Sequence, residues 1–286
     1  MRKLLLLSIF MPAFVQAQKF SLDLFGGFSN YQGDLQEKKF TTDQSKLAFS
    51  LGARYHLTDQ LAIRTNFSLA KIAAADNKNK KPVLQQRNLS FESNITEGNI
   101  LLDYSFYSLE DRKFTPYVFG GIAVFHFNPY AYDSTGNKVF LKPLSTEGEG
   151  LAQYPDRKNY NLTQFAIPFG VGVRWKVTDN VVLGYEIGMR KTFTDYLDDV
   201  STTYVDPAIL LAAKGPKALE MSYRGGELKN GNPAYPTPGA IRGSAKYKDW
   251  YYFSGISVSI GLNGRGEKAF SGSGHGKGRI DCPKKL

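Results

Sequence analysis

Apolar side chains alternate with small or polar ones in several short segments, and this alternation most constrains what the chain can fold into. A period of two places successive side chains on opposite faces of a β-strand. In residues 47–57 the odd positions hold Leu47, Phe49, Leu51, Ala53, Tyr55 and Leu57, and the even positions include Ser50, Gly52, Arg54 and His56. The pattern recurs in residues 61–69, 117–127, 165–175, 181–189 and 250–262, and less regularly in residues 20–25 and 100–107. The sequence therefore predicts about eight strands.

The lengths of the strands and of their connections indicate a membrane barrel. A tilted membrane-spanning strand needs about 9–11 residues. The predicted connections alternate between short ones, at residues 58–60, 108–113 and 176–180, and long ones, at residues 29–44, 71–97, 128–161 and 191–249. Short periplasmic turns that alternate with long outer loops are typical of outer-membrane proteins. We therefore predict an all-β fold, a transmembrane antiparallel β-barrel of about eight strands.

The first residues indicate export. Arg2 and Lys3 precede an apolar run from Leu4 to Val15, and the segment ends at Ala17. This is the pattern of a cleaved secretory signal peptide, and the run is too short for a membrane-spanning helix. We predict a signal peptide at 1–17, a barrel at 18–262, a flexible basic tail at 263–286, and a location in the outer membrane. The single Cys282 has no partner for a disulfide within the chain.

A soluble barrel or sandwich is the alternative, and the polar face argues against it. Aromatic residues make up 14% of the chain, which also has 28 glycines, a composition that suits any barrel. The face opposite the apolar one carries charges of both signs: Asp23, Arg54, Arg64, Asp103, Arg174, Glu186 and Arg190. These charges would pair inside the barrel and close it to diffusion, while the apolar face meets lipid. In residues 117–127 the same interpretation places Tyr117, Phe119, Phe125 and Phe127 on the apolar face, which is predicted to meet lipid. Pro168 predicts a local bulge or opening in its strand.

Several function classes are disfavoured. The formal net charge of +10 is spread over loops and the tail of an exported chain, so nucleic acid is not an expected partner. The three histidines, His56, His126 and His275, have no nucleophile motif beside them, and no Cys/His cluster has metal-ligand spacing. We therefore expect that the protein is not an enzyme and that it has no cofactor, no bound metal and no small-molecule substrate.

Two segments are candidates for contacts. The first is an acidic loop, which contains Asp195, Tyr196, Asp198, Asp199, Tyr204 and Asp206. Acids at this density could hold Ca²⁺, but they do not follow the EF-hand pattern, which favours a hydrated acidic loop. The second is the basic tail, with Arg265, Lys268, Lys277, Arg279, Lys284 and Lys285. The tail would either contact a periplasmic partner or be an inert extension.

Six segments together carry a resemblance to a known family. They are Asn-Tyr-Gln-Gly-Asp-Leu at 30–35, Phe-Thr-Pro-Tyr-Val-Phe-Gly-Gly at 114–121, Phe-Asn-Pro at 127–129, Leu-Ser-Thr-Glu-Gly at 144–148, Ile-Pro-Phe-Gly at 167–170, and Thr-Phe-Thr-Asp-Tyr-Leu-Asp-Asp-Val-Ser at 192–201. From about Phe20 to Leu262 the chain resembles the PorG-like outer-membrane barrels of Bacteroidetes. The last segment is the most specific, and the tail is not part of the pattern.

The resemblance implies a role in protein transport. It implies a non-enzymatic component of the type IX secretion system that anchors or organises the periplasmic ring at the outer membrane, in bacteria whose machine also serves gliding motility. The implied partners are outer-membrane lipid and the ring proteins. A surface adhesion or ligand-binding barrel that works through its long outer loops is the alternative, and a lipid-modifying enzyme that uses His126 is a third hypothesis.

Overall fold

Eight strands close into a cylinder in the computed structural model, which describes residues 20–36, 38 and 40–262. They are β1 (Phe20–Gln32), β2 (Lys46–His56), β3 (Leu61–Ala75), β4 (Ser90–Ser105), β5 (Phe114–His126), β8 (Thr163–Lys176), β9 (Val181–Thr192) and β10 (Trp250–Gly261). Their order is β3-β2-β1-β10-β9-β8-β5-β4, and β3 pairs with β4 to close the ring. Every pairing is antiparallel. The predicted all-β antiparallel barrel of about eight strands is confirmed.

The outer face of the cylinder is a belt of exposed apolar side chains. Phe165 is 68% exposed and Ile122 is 66% exposed. Others that point outward are Leu24, Phe49, Leu51, Phe67, Ile100, Val171 and Ile187. A monomer in water rarely exposes so large a continuous apolar surface. Because closure leaves no strand edge and the belt is apolar, this cylinder suits the hydrocarbon core of a membrane.

Strand β5 faces the opposite way from the sequence-based prediction, which was wrong in placing its aromatic residues on the apolar outer face. Tyr117 and Phe125 are buried, at 1% and 0% exposure, and Phe119 also points inward, whereas Val118 and Val124 face out. An eight-stranded lumen is just wide enough to be filled by side chains, and large rings fill it. Both faces of β5 are apolar, so alternation alone could not choose between them.

Glycines on the neighbouring strands make room for these rings. A Cβ on Gly172 would lie 2.6 Å from the Tyr117 ring, and a Cβ on Gly170 would lie 2.5 Å from the Phe119 ring. A Cβ on Gly188 would also lie within 2.8 Å of Phe119. A side chain at any of these three positions would collide with a lumen ring, and at Gly170 it would also collide with the Ile187 backbone carbonyl. The large rings and the glycines therefore form complementary parts of the lumen.

The ladder between β5 and β8 opens at Pro168. Gly120 pairs with Phe169 and Ala123 pairs with Ala166, with no paired residues between them, so the register is the same on both sides of the gap. Proline has no N–H to donate to a strand ladder. The predicted local opening is confirmed.

The two ends of the barrel differ. Residues 57–60, 106–113 and 177–180 form short turns at one end. At the other end the connections are long and carry a hairpin of β6 (Pro129–Tyr132) and β7 (Lys138–Phe140), and the helices α1 (Pro82–Arg87), α2 (Pro207–Lys214) and α3 (Pro216–Ser222). In the described part of the chain, none of the helices has the length and apolarity to cross a membrane.

The lipid-facing belt predicts an unusual response to charge. Replacing Ile187 on β9 by Arg should lower the free energy of unfolding by roughly 2–4 kcal/mol, because the guanidinium would lie in hydrocarbon near the middle of the strand. Val83 on α1 is 76% exposed, against 39% for Ile187, so Val83→Arg should be tolerated. Equilibrium unfolding in lipid vesicles measures both. Equal tolerance of the two variants would contradict the orientation of β9.

Candidate functional site

One buried carboxylate organises the lumen near the short-turn end. Asp103 on β4 is fully buried, and its Oδ2 lies 3.4 Å from Arg54 Nη2, 3.3 Å from Arg64 Nε and 2.5 Å from Arg174 Nη2. These arginines come from three different strands, β2, β3 and β8. A single side chain thereby joins opposite walls of the barrel.

Two further acids balance the three arginines. Arg54 Nη2 lies 2.6 Å from Asp23 Oδ2, and Arg64 Nη1 lies 2.8 Å from Glu186 Oε2. Tyr117 donates its hydroxyl hydrogen to the same Glu186 oxygen, and the Arg174 guanidinium stacks 3.6 Å from the Tyr117 ring. The group therefore holds three positive and three negative charges. A buried ion network is tolerated only when its charges are paired in this way.

A second polar layer lies closer to the end of the lumen that carries the long connections. Glu97 Oε2 lies 3.1 Å from Arg190 Nε and accepts a hydrogen bond of 2.7 Å from the Tyr251 hydroxyl. Asn99 donates to Glu97 Oε1 at 2.6 Å, and Arg190 lies 3.9 Å from the Phe253 ring. Aromatic side chains continue the filling above this layer: Tyr31, Phe91, Phe125, Phe127 and Phe253.

The space left inside the lumen is small. A cavity of about 10 Å³ remains between the two layers, and Asp23, Arg64, Asn99, Glu186 and Arg190 are among its lining residues. This is about the space that one water molecule needs. The predicted pairing of inward charges therefore describes the lumen correctly, and the barrel is filled.

The acidic loop folds into a cap over the lumen. Asp195, Asp198, Asp199 and Tyr204 are buried, whereas Tyr196 and Asp206 are half-buried. Asp206 caps α2, because its Oδ1 accepts hydrogen bonds from the backbone N–H groups of Ala208 and Ile209. The expectation of a hydrated loop was wrong: the acids find hydrogen-bond donors within the cap. These candidate interaction residues build the cap from inside.

Arg242 joins two of the long connections. Its Nη1 lies 2.8 Å from Glu147 Oε1 and donates to the Asp199 carbonyl at 2.7 Å. Glu147 in turn accepts hydrogen bonds from the backbone N–H groups of Ser201 and Thr202, at 2.9 and 2.8 Å. The connection at 127–162 is thereby fixed to the one at 193–249.

Arg87 joins the other two connections to the same centre. It forms a bidentate ion pair with Asp76, with 2.7 Å both from Nε to Oδ2 and from Nη2 to Oδ1. It also donates hydrogen bonds to the backbone carbonyls of Asp34 and Arg242. The Asp34 carboxylate accepts a hydrogen bond of 2.9 Å from the Ser244 backbone N–H. All four long connections therefore meet in one buried network, so the cap is a folded structure.

Tyr31 binds two carboxyl groups that compete for one proton. Its hydroxyl lies 2.6 Å from Asp198 Oδ2 and 3.0 Å from Asp249 Oδ1. One hydroxyl hydrogen serves only one of these contacts, so the other requires a proton on a carboxyl group. Burial raises the pKa of Asp198, and the charge of Asp34 adds to the shift. Burial likewise raises the pKa of Asp249, with the charge of Asp198 next in size.

The other predicted site residues are placed as follows. His126 lies on the outer face with its Nδ1 3.0 Å from the Thr163 hydroxyl. The tail residues Arg265, Lys268, Lys277, Arg279, Lys284 and Lys285, together with His275 and Cys282, lie outside the described residues, as do residues 1–17. Among residues 20–36, 38 and 40–262, no group of three or more His, Cys, Asp or Glu side chains is arranged to hold a metal ion.

Sequence reasoning missed the two arginines that join the connections. Asp34 and Glu147 stand within the segments that carry the family resemblance, so a signal for them was present. Arg87 and Arg242 stand alone in long connections, with no period or motif around them. Only the fold brings them together.

The short-turn end has an open mouth. Its cavity has a volume of about 480 Å³, with Arg54 and Arg174 at the lumen side and Asp59, Glu110 and Asn180 on the turns. β1 begins at this end and β10 ends here, since Leu262 N–H donates to the Phe20 carbonyl at 3.0 Å. Polar surface is therefore accessible from this side of the lumen.

A closed cylinder with an apolar outer belt, a filled charged lumen and a folded cap defines a transmembrane β-barrel. The family described as "Domain of unknown function (DUF6089)" matches residues 2–206, and the chain belongs to this family. No curated protein matches the chain.

Solved structures with a similar fold are bacterial barrels. The surface protein NspA of Neisseria has 9% identity, with 85% of this chain and 96% of that one covered and a TM-score of 0.41. The Ail protein of Yersinia pestis, solved with the heparin analogue sucrose octasulfate, has 8% identity, coverage of 85% and 97%, and a TM-score of 0.39. A major outer membrane protein of Thermus thermophilus has 13% identity, coverage of 85% and 98%, and a TM-score of 0.40.

The buried acids make the cap sensitive to pH. Burial raises the pKa of Asp195 from 3.8 to about 7, although the hydrogen bond from Ser201 opposes the shift. A raised folded-state pKa stabilises the cap most below the unfolded pKa, and this stabilisation is lost as the pH rises from there through the folded pKa of about 7, above which Asp195 is ionised in both states. Hydrogen exchange of amides 193–206, corrected for intrinsic rates, should therefore accelerate by up to roughly ten-fold per pH unit between about pH 5 and 7, and this effect should level off above 7.

Two variants isolate this effect. Asp195→Asn should weaken the pH dependence between about pH 5 and 7, because the amide does not ionise. Asp133→Asn is the matched control: the hydrogen bond from Lys217 keeps the pKa of Asp133 well below its usual range, so that residue stays ionised throughout. An unchanged pH dependence in Asp195→Asn would contradict the assignment of the effect to Asp195.

Proposed function

We propose that this protein is a non-enzymatic outer-membrane component of the type IX protein secretion machinery, which anchors or organises the periplasmic ring at the membrane. The observation that carries the proposal is the filled and capped lumen. Three arginines and three acids close the barrel, and all four long connections fold over it. A barrel that cannot pass cargo suits the role of an anchor, and the six segments that resemble PorG-like barrels supply the link to this machine.

The proposed orientation places the short turns and the tail in the periplasm. The chain leaves the barrel at Leu262, on the same end as the turns at 57–60, 106–113 and 177–180. With the dimensions of a Gly/Ser-rich chain, residues 263–286 would span roughly 25–30 Å. Their basic side chains would favour an acidic surface on a ring protein, by contacts that weaken as salt screens them. Outer-membrane lipid is the other partner.

Surface binding through the cap is the second candidate. Its specific support is the exposure of large apolar side chains on the loop end, where Ile241 is 83% exposed and Val83, Tyr247 and Phe40 are also open. An adhesion or ligand-binding barrel would use such residues. The two functions differ in which end of the barrel makes the essential contact.

Labelling on intact cells tests the orientation. In a Cys282→Ser background, an impermeant thiol reagent should mark Lys229→Cys, which is exposed on the loop end, and should not mark Asp179→Cys, which is exposed on a short turn. After the outer membrane is permeabilised, both positions should react. Labelling of position 179 in sealed cells would reverse the orientation and remove the periplasmic role.

Partner capture in the source bacterium tests the function. Detergent pull-downs of the full chain should retain ring proteins. Truncation after Leu262 should leave the heat-modifiable barrel folded and reduce retention, more strongly at high salt. A chain of full length with the six basic tail residues replaced by Gln separates charge from length. Deletion of the gene should trap secreted cargo in the periplasm. A deletion strain that secretes normally would remove the secretion role and favour surface binding.

A further inference from the structure

Lysines gather on the outer face of the barrel just beyond the apolar belt, at the cap end. On β3, Leu69 faces outward and Lys71, two residues further, occupies the same face. On β4 the outward positions continue to Glu92, which pairs with Tyr130 of β6. In the β6–β7 hairpin, Tyr130 is opposite Phe140, and Tyr132 is opposite Lys138. Because paired residues share a face, these side chains form one outward surface.

Positive charge exceeds negative charge on this surface. Glu92 Oε1 lies 2.9 Å from Lys46 Nζ, and Glu92 Oε2 lies 3.1 Å from Lys71 Nζ and accepts from the Tyr130 hydroxyl at 2.8 Å. Lys138 Nζ lies 3.7 Å from the centre of the Tyr130 ring and makes no ion pair with any residue that the structure describes. Two ammonium groups therefore share one carboxylate, and the third, on Lys138, has no acidic partner among the described residues. We call Lys46, Lys71, Lys138, Glu92 and Tyr130 the lysine patch.

The patch lies at the height of lipid headgroups. A strand rises about 3.3 Å per residue, so two residues along a tilted strand place Lys71 about 5 Å beyond the lipid-facing Leu69. Tyr132 and Phe140, both exposed, flank the patch as aromatic side chains do at membrane interfaces. Any ligand of Lys71 therefore lies beside hydrocarbon that covers Leu69.

We propose that the lysine patch binds the phosphate of an anionic lipid in the leaflet on the cap side of the membrane. The ligand must be amphipathic, because the Lys71 ammonium group and Leu69 of the apolar belt belong to the same face of the same strand. Its headgroup would accept hydrogen bonds from Lys71 and Lys138, and its acyl chains would lie against the belt below. Lysine is a common partner of phosphate, and each lysine near a lipid surface adds roughly five-fold to the affinity for anionic lipid.

Native mass spectrometry of the detergent-solubilised full chain tests this proposal. The protein is titrated with phosphatidylglycerol, which has an anionic headgroup, and with phosphatidylcholine, which is zwitterionic. We expect retained phosphatidylglycerol to exceed retained phosphatidylcholine. K71Q/K138Q should reduce phosphatidylglycerol retention about ten-fold or more. Glycerol phosphate alone should not compete at equal concentration, because it has no acyl chain.

The matched control is K158Q/K229Q, which removes the same formal charge. Lys158 and Lys229 are both exposed in long connections, and neither lies on a strand of the barrel wall. This control should keep wild-type retention, and heat-modifiable gel mobility should show all variants folded. Equal loss in both double variants, undiminished retention in K71Q/K138Q, or equal binding of the two lipids would each overturn the proposal.

Discussion

The pairing of Asp103 with three arginines is the interaction on which the rest of this barrel depends. A carboxylate or guanidinium taken out of water costs several kcal/mol unless it is paired, so none of these groups could stand alone inside the cylinder. Together with Asp23 and Glu186 they form a neutral group of six charges that joins opposite walls. Because the group is neutral and its side chains are buried, it closes the lumen and specifies which strands must face each other.

Two hairpins of similar sequence each contribute one arginine to this ion network. Residues 52–59 read Gly-Ala-Arg-Tyr-His-Leu-Thr-Asp and residues 172–179 read Gly-Val-Arg-Trp-Lys-Val-Thr-Asp. In both, the threonine hydroxyl accepts from the N–H groups two and three residues later, at 3.3 and 3.0 Å. The two turns therefore have the same geometry and place Arg54 and Arg174 at the same height, where both reach Asp103.

The sequence predicted the features that follow from strictly local rules. Alternation located the strands, and the lengths of the connections distinguished the two ends. Pro168 indicated the gap in the ladder because a missing N–H acts at its own position. The inward charges were assigned correctly, since a guanidinium does not face hydrocarbon. These assignments needed no knowledge of which strands become neighbours in space.

The remaining features depend on contacts between distant residues. Both faces of β5 are apolar, so only the width of the lumen and the glycines opposite Tyr117 and Phe119 determine which face is inside. The acids of the loop at 193–206 appear hydrated in sequence, because Arg242 and Tyr31, which bind them, stand far away in the chain. A folded cap therefore could not be deduced from the composition of any single loop.

The ion network and the cap together close this barrel. Single-channel recording of the purified full chain in planar bilayers in 1 M KCl, with a known porin as the positive control, tests this closure most directly. A closed lumen predicts no stable conductance steps above the baseline, at either polarity. Large, stable, porin-like steps from pure, folded protein would contradict a filled lumen, and with it the proposal that this barrel acts as an anchor and not as a channel.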